Sequence, residues 1–151
     1  MTRDEVTARA GRMVGNPALA RSHYIEHCAG RHGITGSTAP ALLPELRGRV
    51  EWFFCTPPSR AYLLRLPDVA QSRIRDNYAL ADMMNYVVFV LGDGGAPPGA
   101  KPFTAEEVAR ERPLALTTTA LAVERARQVD AAIRKCHAPI SLRLAYPSRA
   151  R

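Results

Sequence analysis

The residues best suited to do chemistry in this 151-residue chain are Cys28-Ala29-Gly30-Arg31-His32-Gly33. A cysteine in place of Arg31 would turn this stretch into CxxCH, the attachment motif for c-type haem. In that motif two thiols add to the ring's vinyl groups. The histidine beside the second thiol gives a ring nitrogen to the iron. Glycines let the backbone run close to a flat macrocycle. Here Cys28 keeps one tether and His32 keeps the iron ligand. Arg31 places a guanidinium where the second thiol would stand. It forms no thioether, but it suits a charge-assisted pair with a ring propionate, and it would be costly if buried unpaired. Cys28, His32 and Arg31 are therefore the candidate cofactor-binding residues, with His32 the metal ligand.

Other chemistry is poorly supported. His23 and His27 are four residues apart, as are Cys28 and His32, which is a spacing zinc can use. No second ligand pair follows at a suitable distance, and Cys136-His137 lie far away in sequence. His23 and His27 read as the edge of a helix. Met83 and Met84 carry thioethers that suit iron, but Met84 falls on an apolar stripe and reads as a gap-filling core residue. The three cysteines Cys28, Cys55 and Cys136 show no CxxC spacing, and an odd number argues against a full disulfide framework. Cys55, beside Trp52, Phe53 and Phe54, reads as a small buried apolar residue. No Ser-His-Asp order, phosphate-binding glycine loop or carboxylate pair supports an enzyme.

Helices must position the Cys28–His32 stretch. Thr2 and Glu5 form a capping box that predicts a first helix to about Val14. Asn16-Pro17 interrupts it, and Pro17 suits the first turn of a second helix over 18–28. Ala20, Tyr24, Ile25 and Cys28 share a face of that helix, and His32 falls just beyond it. Residues 33–40 read as a loop. A helix is predicted from Pro44 to about Thr56, with Leu46, Val50, Phe53 and Phe54 on one side, broken by Pro57-Pro58. Periodicity leaves 59–66 open between helix and strand, and 67–72 reads as a loop. The clearest helix is 75–91, with a stripe of Leu80, Met84, Val87, Val88 and Leu91. Residues 92–99 form a loop. Thr104 and Glu107 cap a helix ending near Arg112-Pro113. A last helix is predicted over 116–137, followed by a short, basic, mobile tail from Ala138. The fold class is all-α, with residues 1–113 as the main domain, then the C-terminal helix (114–137) and the tail (138–151).

The net charge is +7, and seven basic against two acidic residues in 121–151 account for +5 of it. A basic end on a nearly balanced body suits an acidic protein surface. With Tyr146 its one aromatic and no nucleic-acid-binding motif, that end does not point to nucleic acid. The longest apolar run, 86–91, is far too short to span a membrane. The first fifteen residues carry mixed charge and no apolar run, so they do not read as a signal peptide.

From Asn16 to Pro113 the chain resembles small bacterial mono-haem c-type cytochromes of the class-I fold, which are found with periplasmic dehydrogenases. The resemblance is carried by NPALAR at 16–21, HCAGRHG at 27–33, PELRGRV at 44–50 and SRAYL at 59–63. LPDVAQS at 66–72, Asn85-Tyr86 and PFTAEEV at 102–108 extend it, all in consistent order. The C-terminal helix lies outside it. The chain departs from the family pattern at Arg31, and it has no Met or His in the 67–72 loop to serve as distal ligand.

The resemblance implies one haem c, held by a Cys28 thioether with His32 on the iron. It also implies single-electron transfer from a partner such as a dehydrogenase. The alternative is a haem-free module descended from such a cytochrome, its cavity filled by Trp52, Phe53, Phe54, Tyr62 and Phe89. Covalent haem would place the protein in the periplasm, whereas a start without a leader leaves the cytoplasm open.

Overall fold

The computed structural model describes residues 2–37, 46, 48–92, 96–97, 99–117 and 119–145. The protein is all-α, with no strand among the described residues. Nine α-helices follow in order among those residues: α1 (Arg3–Gly11), α2 (Pro17–His27), α3 (Ala29–His32), α4 (Pro57–Arg65), α5 (Pro67–Ala70), α6 (Asn77–Asn85), α7 (Ala105–Glu111), α8 (Leu121–Cys136) and α9 (Leu142–Ala145). A 3-10 turn over Val50–Phe54 precedes α4, and a π-helical stretch over Tyr86–Leu91 continues α6. No described helix is long and apolar enough to cross a membrane.

Local chemistry explains most helix starts. Thr2 and Glu5 exchange backbone-to-side-chain bonds of 2.6 and 3.2 Å ahead of α1. Asn16 accepts from the Leu19 N–H, and Pro17 occupies the first turn of α2. Thr104 accepts from the Glu107 N–H to begin α7. Segment 59–66, open on periodicity alone, is helical. Thr56 and Ser59 form a capping box, and Pro57-Pro58 start α4 in its first turn, where prolines lack a donor that would go unused anyway.

Several expectations change. The 67–72 stretch contains the short helix α5, started by Pro67. The helix predicted over 44–56 is, in its described part, the 3-10 turn at 50–54; Pro44, Glu45 and Arg47 lie outside the described residues. The last helix begins at Leu121 because Leu116 is held in an extended link, its N–H donating to Arg65 O at 2.8 Å. It ends where His137 turns left-handed (φ 58°) and the Ala138 N–H reaches back to Ala132 O. In the segment from Ala138, Ala138 and Leu142 are buried and Leu142–Ala145 forms α9, whereas Ile140 and Leu144 are exposed. Residues 146–151 lie outside the described set.

Cys55 is not a lone buried apolar residue. It forms a disulfide with Cys136, with a Cα–Cα distance of 6.1 Å across 81 residues of chain. The odd cysteine count concealed this pairing, because the cysteine left over, Cys28, is the one in the motif.

The core sits where α2 crosses α6 and its π-helical extension, with Tyr24, Leu64, Leu80, Met83 and Val88 almost fully buried. Asp82 on α6 accepts the Gly15 and Asn16 N–H groups at 2.6 and 2.8 Å, clamping the start of α2 onto α6. A Cβ at Gly15 would lie 2.2 Å from the Tyr78 hydroxyl oxygen, so a larger residue there displaces that exposed ring. Arg112 donates to the carbonyls of Ala70, Ser72 and Ile74 and to the Asn77 side chain, fixing the link between α5 and α6.

Asn85 pins the chain leading into α7. Its amide donates to Phe103 O at 3.1 Å and accepts the Phe103 N–H at 2.7 Å, all buried. Asn85→Ala strands two backbone groups away from water. Each costs about 1–3 kcal/mol, so denaturant unfolding is expected to show a loss of about 2–4 kcal/mol. A loss under about 0.5 kcal/mol would mean that water replaces the amide at once.

Candidate functional site

The chain leaves α2 through a sharp turn. Tyr24, buried on α2, donates its hydroxyl to Gly33 O at 2.7 Å and ties the segment after His32 back to the helix. Burial, then the nearby Cys28 and Tyr86, push the Tyr24 phenol well above its ordinary pKa, so it remains a donor. Gly33 has a φ of 81°, and a Cβ there would lie 2.1 Å from Ser37 O, so only glycine fits. Between these constraints, the one-turn helix α3 carries Arg31 and His32.

Cys28, Arg31 and His32 all line one apolar cleft of about 1050 Å³, solvent at its mouth included. One wall is built from α2, α3 and the α6 segment packed on α2, and it presents Tyr24, Cys28, His32, Met84 and Val87. The 50–54 turn, α4, α5 and α8 complete the lining with Phe53, Tyr62, Leu63, Val69, Leu121 and Arg125. Its mainly apolar lining with a few polar groups is of the kind found in small-molecule and cofactor sites.

Arg31 does not stand alone. Its Nη1 lies 2.8 Å from Asp68 Oδ2 on α5, so the exposed pair links α3 to α5 at the mouth of the cleft. Exposed pairs of this kind contribute about 0–1 kcal/mol, so this one guides the opening more than it stabilises the fold.

Cys28 is the free thiol among the described cysteines. Its Sγ lies 4.0 Å from the sulfur of Met83, a residue buried in the core. Burial, and then the carboxylate of Asp68, push the thiol up to about 11. At pH 8 the thiolate fraction falls about a hundredfold below that of a thiol at the ordinary value of 9.0, and greater nucleophilicity recovers part of the loss. Iodoacetamide is expected to modify native Cys28 about tenfold more slowly than the unfolded chain. Stability carries the same sign. The unfolded thiol ionises first, so the contribution is full below pH 9 and is lost as pH rises toward 11. Equal alkylation rates in native and unfolded protein would contradict this environment.

The other sequence candidates fall into place differently. Met84 is buried and lines the cleft, whereas Met83 does not. His23 and His27 approach each other on α2, with ring centroids 6.2 Å apart, but no group of three metal-ligating side chains exists among the described residues. Of the aromatic residues expected to fill a cavity, Phe53 and Tyr62 line the cleft. Phe53 stacks on Tyr62 with centroids 5.5 Å apart, and Phe54 turns away to pack edge-on against Phe89 and Phe103. Sequence reasoning missed Arg125 and Asp68 as cleft residues. The available signal for Arg125 was its place four residues after Leu121, on one helical face.

Cys28 and His32 both line the cleft of this all-α chain, and two cytochromes are similar to it in sequence. The chain is 27% identical over 139 residues to a cytochrome c-552 of Thermus thermophilus, covering 79% of this chain and 94% of that relative. A second cytochrome c-552 of Thermus thermophilus is 28% identical over 115 residues, covering 65% of this chain and 88% of the relative. No protein-family model matches the chain. No solved structure matches it with significance.

Proposed function

We propose that this protein is a one-electron carrier that holds a single haem c, with His32 as the iron ligand and Cys28 as the one thioether. The observation that carries the reading is the cleft itself: its wall presents that thiol and imidazole four residues apart, among apolar side chains. The similarity to two cytochromes c-552 supports it. The residues fit the group. Leu63, Leu66, Val69 and Val87 offer apolar contact to a flat ring. Cys28 sits on the same wall as His32.

Haem, when bound, supplies a reversible one-electron couple. The protein's own side chains hold and shield it. The apolar walls exclude water, and Tyr24 and Gly33 fix the backbone that presents His32. Arg31, at the rim, offers a guanidinium to a propionate at the cost of its exposed pair with Asp68.

The redox partner in this reading is a protein such as a dehydrogenase with an acidic docking surface. Both acidic residues of the basic C-terminal end are already paired within the chain, Glu124 with Arg127 and Asp130 with Arg143. Among the described residues the other cations of that end are Arg125, which lines the cleft, and Arg134 and Lys135 in the last turn of α8. The compartment in this reading is the periplasm. The Cys55–Cys136 disulfide supports that, since such bonds persist in oxidising surroundings.

Expression with a c-type cytochrome maturation system tests the function. The expected product has a Soret band and keeps its haem in denaturant. A colourless, helical product would leave the haem-free module as the correct reading. Arg31→Cys, which completes CxxCH, is expected to raise the fraction of protein carrying haem and to shift the reduced bands to shorter wavelength, because a second vinyl group becomes saturated. The lost ion pair costs at most about 1 kcal/mol. An unchanged spectrum and yield would place residue 31 away from the ring.

A further inference from the structure

The Cys55–Cys136 bond ties the end of the 50–54 turn to the last residue of α8. Both cysteines are half-buried. The residues beside them are exposed: Pro57 and Pro58 after the one, Arg134, Lys135 and His137 around the other. A thiolate in solution therefore has a path to the sulfurs, and exposed disulfides are the ones that exchange.

The bond holds a unit that buries little. Arg143 on α9 lies 2.9 Å from Asp130 on α8, and between the two helices the Ala138 N–H donates to Ala132 O at 3.1 Å. α8 and α9 are thus joined to each other, and α8 packs on α4 and the 50–54 turn. Its buried side chains are Gln128, Val129 and Ala132, which are polar or small. The junction of α2 and α6, by contrast, buries Tyr24, Leu80, Met83 and Val88. Elements that bury little apolar surface open more readily than the core. The Leu116 N–H bond to Arg65 O holds the chain ahead of α8, and the disulfide ties its far end. Through Leu121 and Arg125, α8 also lines the cleft that contains Cys28 and His32, so its displacement removes part of that lining.

We infer that the Cys55–Cys136 bond is a thiol-exchange site, and that its reduction by a dithiol frees α8 and α9 as a unit and opens the cleft. One thiolate of the reductant attacks a sulfur of the bond and forms a mixed disulfide. The other cysteine leaves as a thiolate and takes up a proton. The second thiol of the reductant then displaces the first cysteine. The protein gains two electrons and two protons, and the reductant becomes a disulfide. Opening of the cleft in this way does not require haem.

The test uses the full chain expressed without a haem maturation system, so that Cys28 remains a thiol. Amide hydrogen exchange is followed peptide by peptide in wild-type protein before and after reduction with dithiothreitol. Reduction is expected to speed exchange in α8 by about tenfold or more and to leave residues 77–91 unchanged. Removal of the reductant and addition of oxidised glutathione is expected to restore the slow exchange. Cys55→Ser with Cys136→Ser leaves Cys28 as the one thiol, and iodoacetamide then reports on the cleft. Cys28 is expected to react about threefold or more faster than in oxidised wild type, at a rate that dilute urea does not change. The exchange measurement uses wild type, so it stands even if the variant does not fold. The proposal is overturned by a bond that dithiothreitol does not reduce in native protein, by unchanged exchange in α8, or by exchange that speeds equally over 77–91. A Cys28 rate in the folded variant that stays at the wild-type value, or that climbs steeply with urea as global unfolding requires, also overturns it.

Discussion

His32→Ala is expected to abolish the Soret band that wild-type protein acquires in a c-type maturation host, while the helical far-UV spectrum stays unchanged. The two outcomes separate because of where His32 sits. It is the last residue of a one-turn helix at the rim of the cleft, half-buried and outside the core cluster. The neighbouring backbone is held by groups the substitution leaves alone: the Tyr24 hydroxyl bond to Gly33 O, and the Gly33 conformation itself. In the proposed reading, loss of the imidazole removes the whole first-ligand contribution and takes nothing from the core cluster. Even partners one step removed from a metal cost about 10–100-fold when lost, so the ligand itself is expected to cost more. In that reading Cys28 alone would tether the ring without fixing the iron. Imidazole added to the growth medium or buffer is expected to restore part of the band, since the substitution opens a space of that shape beside the cleft. A variant with the wild-type band in position and intensity would remove His32 from the site.

The second large effect is expected from the disulfide. Cys55→Ser with Cys136→Ser releases a crosslink spanning 81 residues. Chain-entropy arguments give about 4–5 kcal/mol for a loop of that size, and measured losses for native disulfides run about 2–5 kcal/mol. For a chain of this length the midpoint of thermal unfolding should fall by about 5–15 °C. The consequence reaches the cleft. The bond joins the end of α8 to the end of the 50–54 turn, and both line the cleft, through Leu121 and Arg125 and through Val50 and Phe53. The double variant should therefore also hold haem less tightly than its melting point alone would imply. Dithiothreitol should lower the wild-type midpoint and leave the variant unaffected. Titration of three free thiols in non-reduced, native protein would show that the crosslink does not form.

Both predictions bear on how the chain divides its information. The residues that begin helices act on their immediate neighbours, so they could be read directly. Thr2 with Glu5, Asn16 with Pro17, and Thr104 with Glu107 each satisfy donors within three residues. The same holds for the Cys28–His32 stretch, whose four-residue spacing brings thiol and imidazole to one wall through a single helical turn. The all-α class follows from this local chemistry and from the apolar periodicity of 75–91.

Only the tertiary structure decided the rest, because it depends on groups that meet across long stretches of chain. Cys55 and Cys136 are 81 residues apart, and nothing local distinguishes them from unpaired thiols. Arg31 faces Asp68 across 37 residues, so its partner could not be inferred from the motif. Leu142 is fully buried although it lies in what reads as a basic tail, because α9 folds back onto α8. Arg125 shares a helical face with Leu121, but only the packing of α8 on α4 shows that this face lines the cleft. Local sequence set the helices and the motif. The rest of the cleft's lining was set by which helix faces the packed body buries, a choice made by the free energy of the whole core and written in no short stretch of residues.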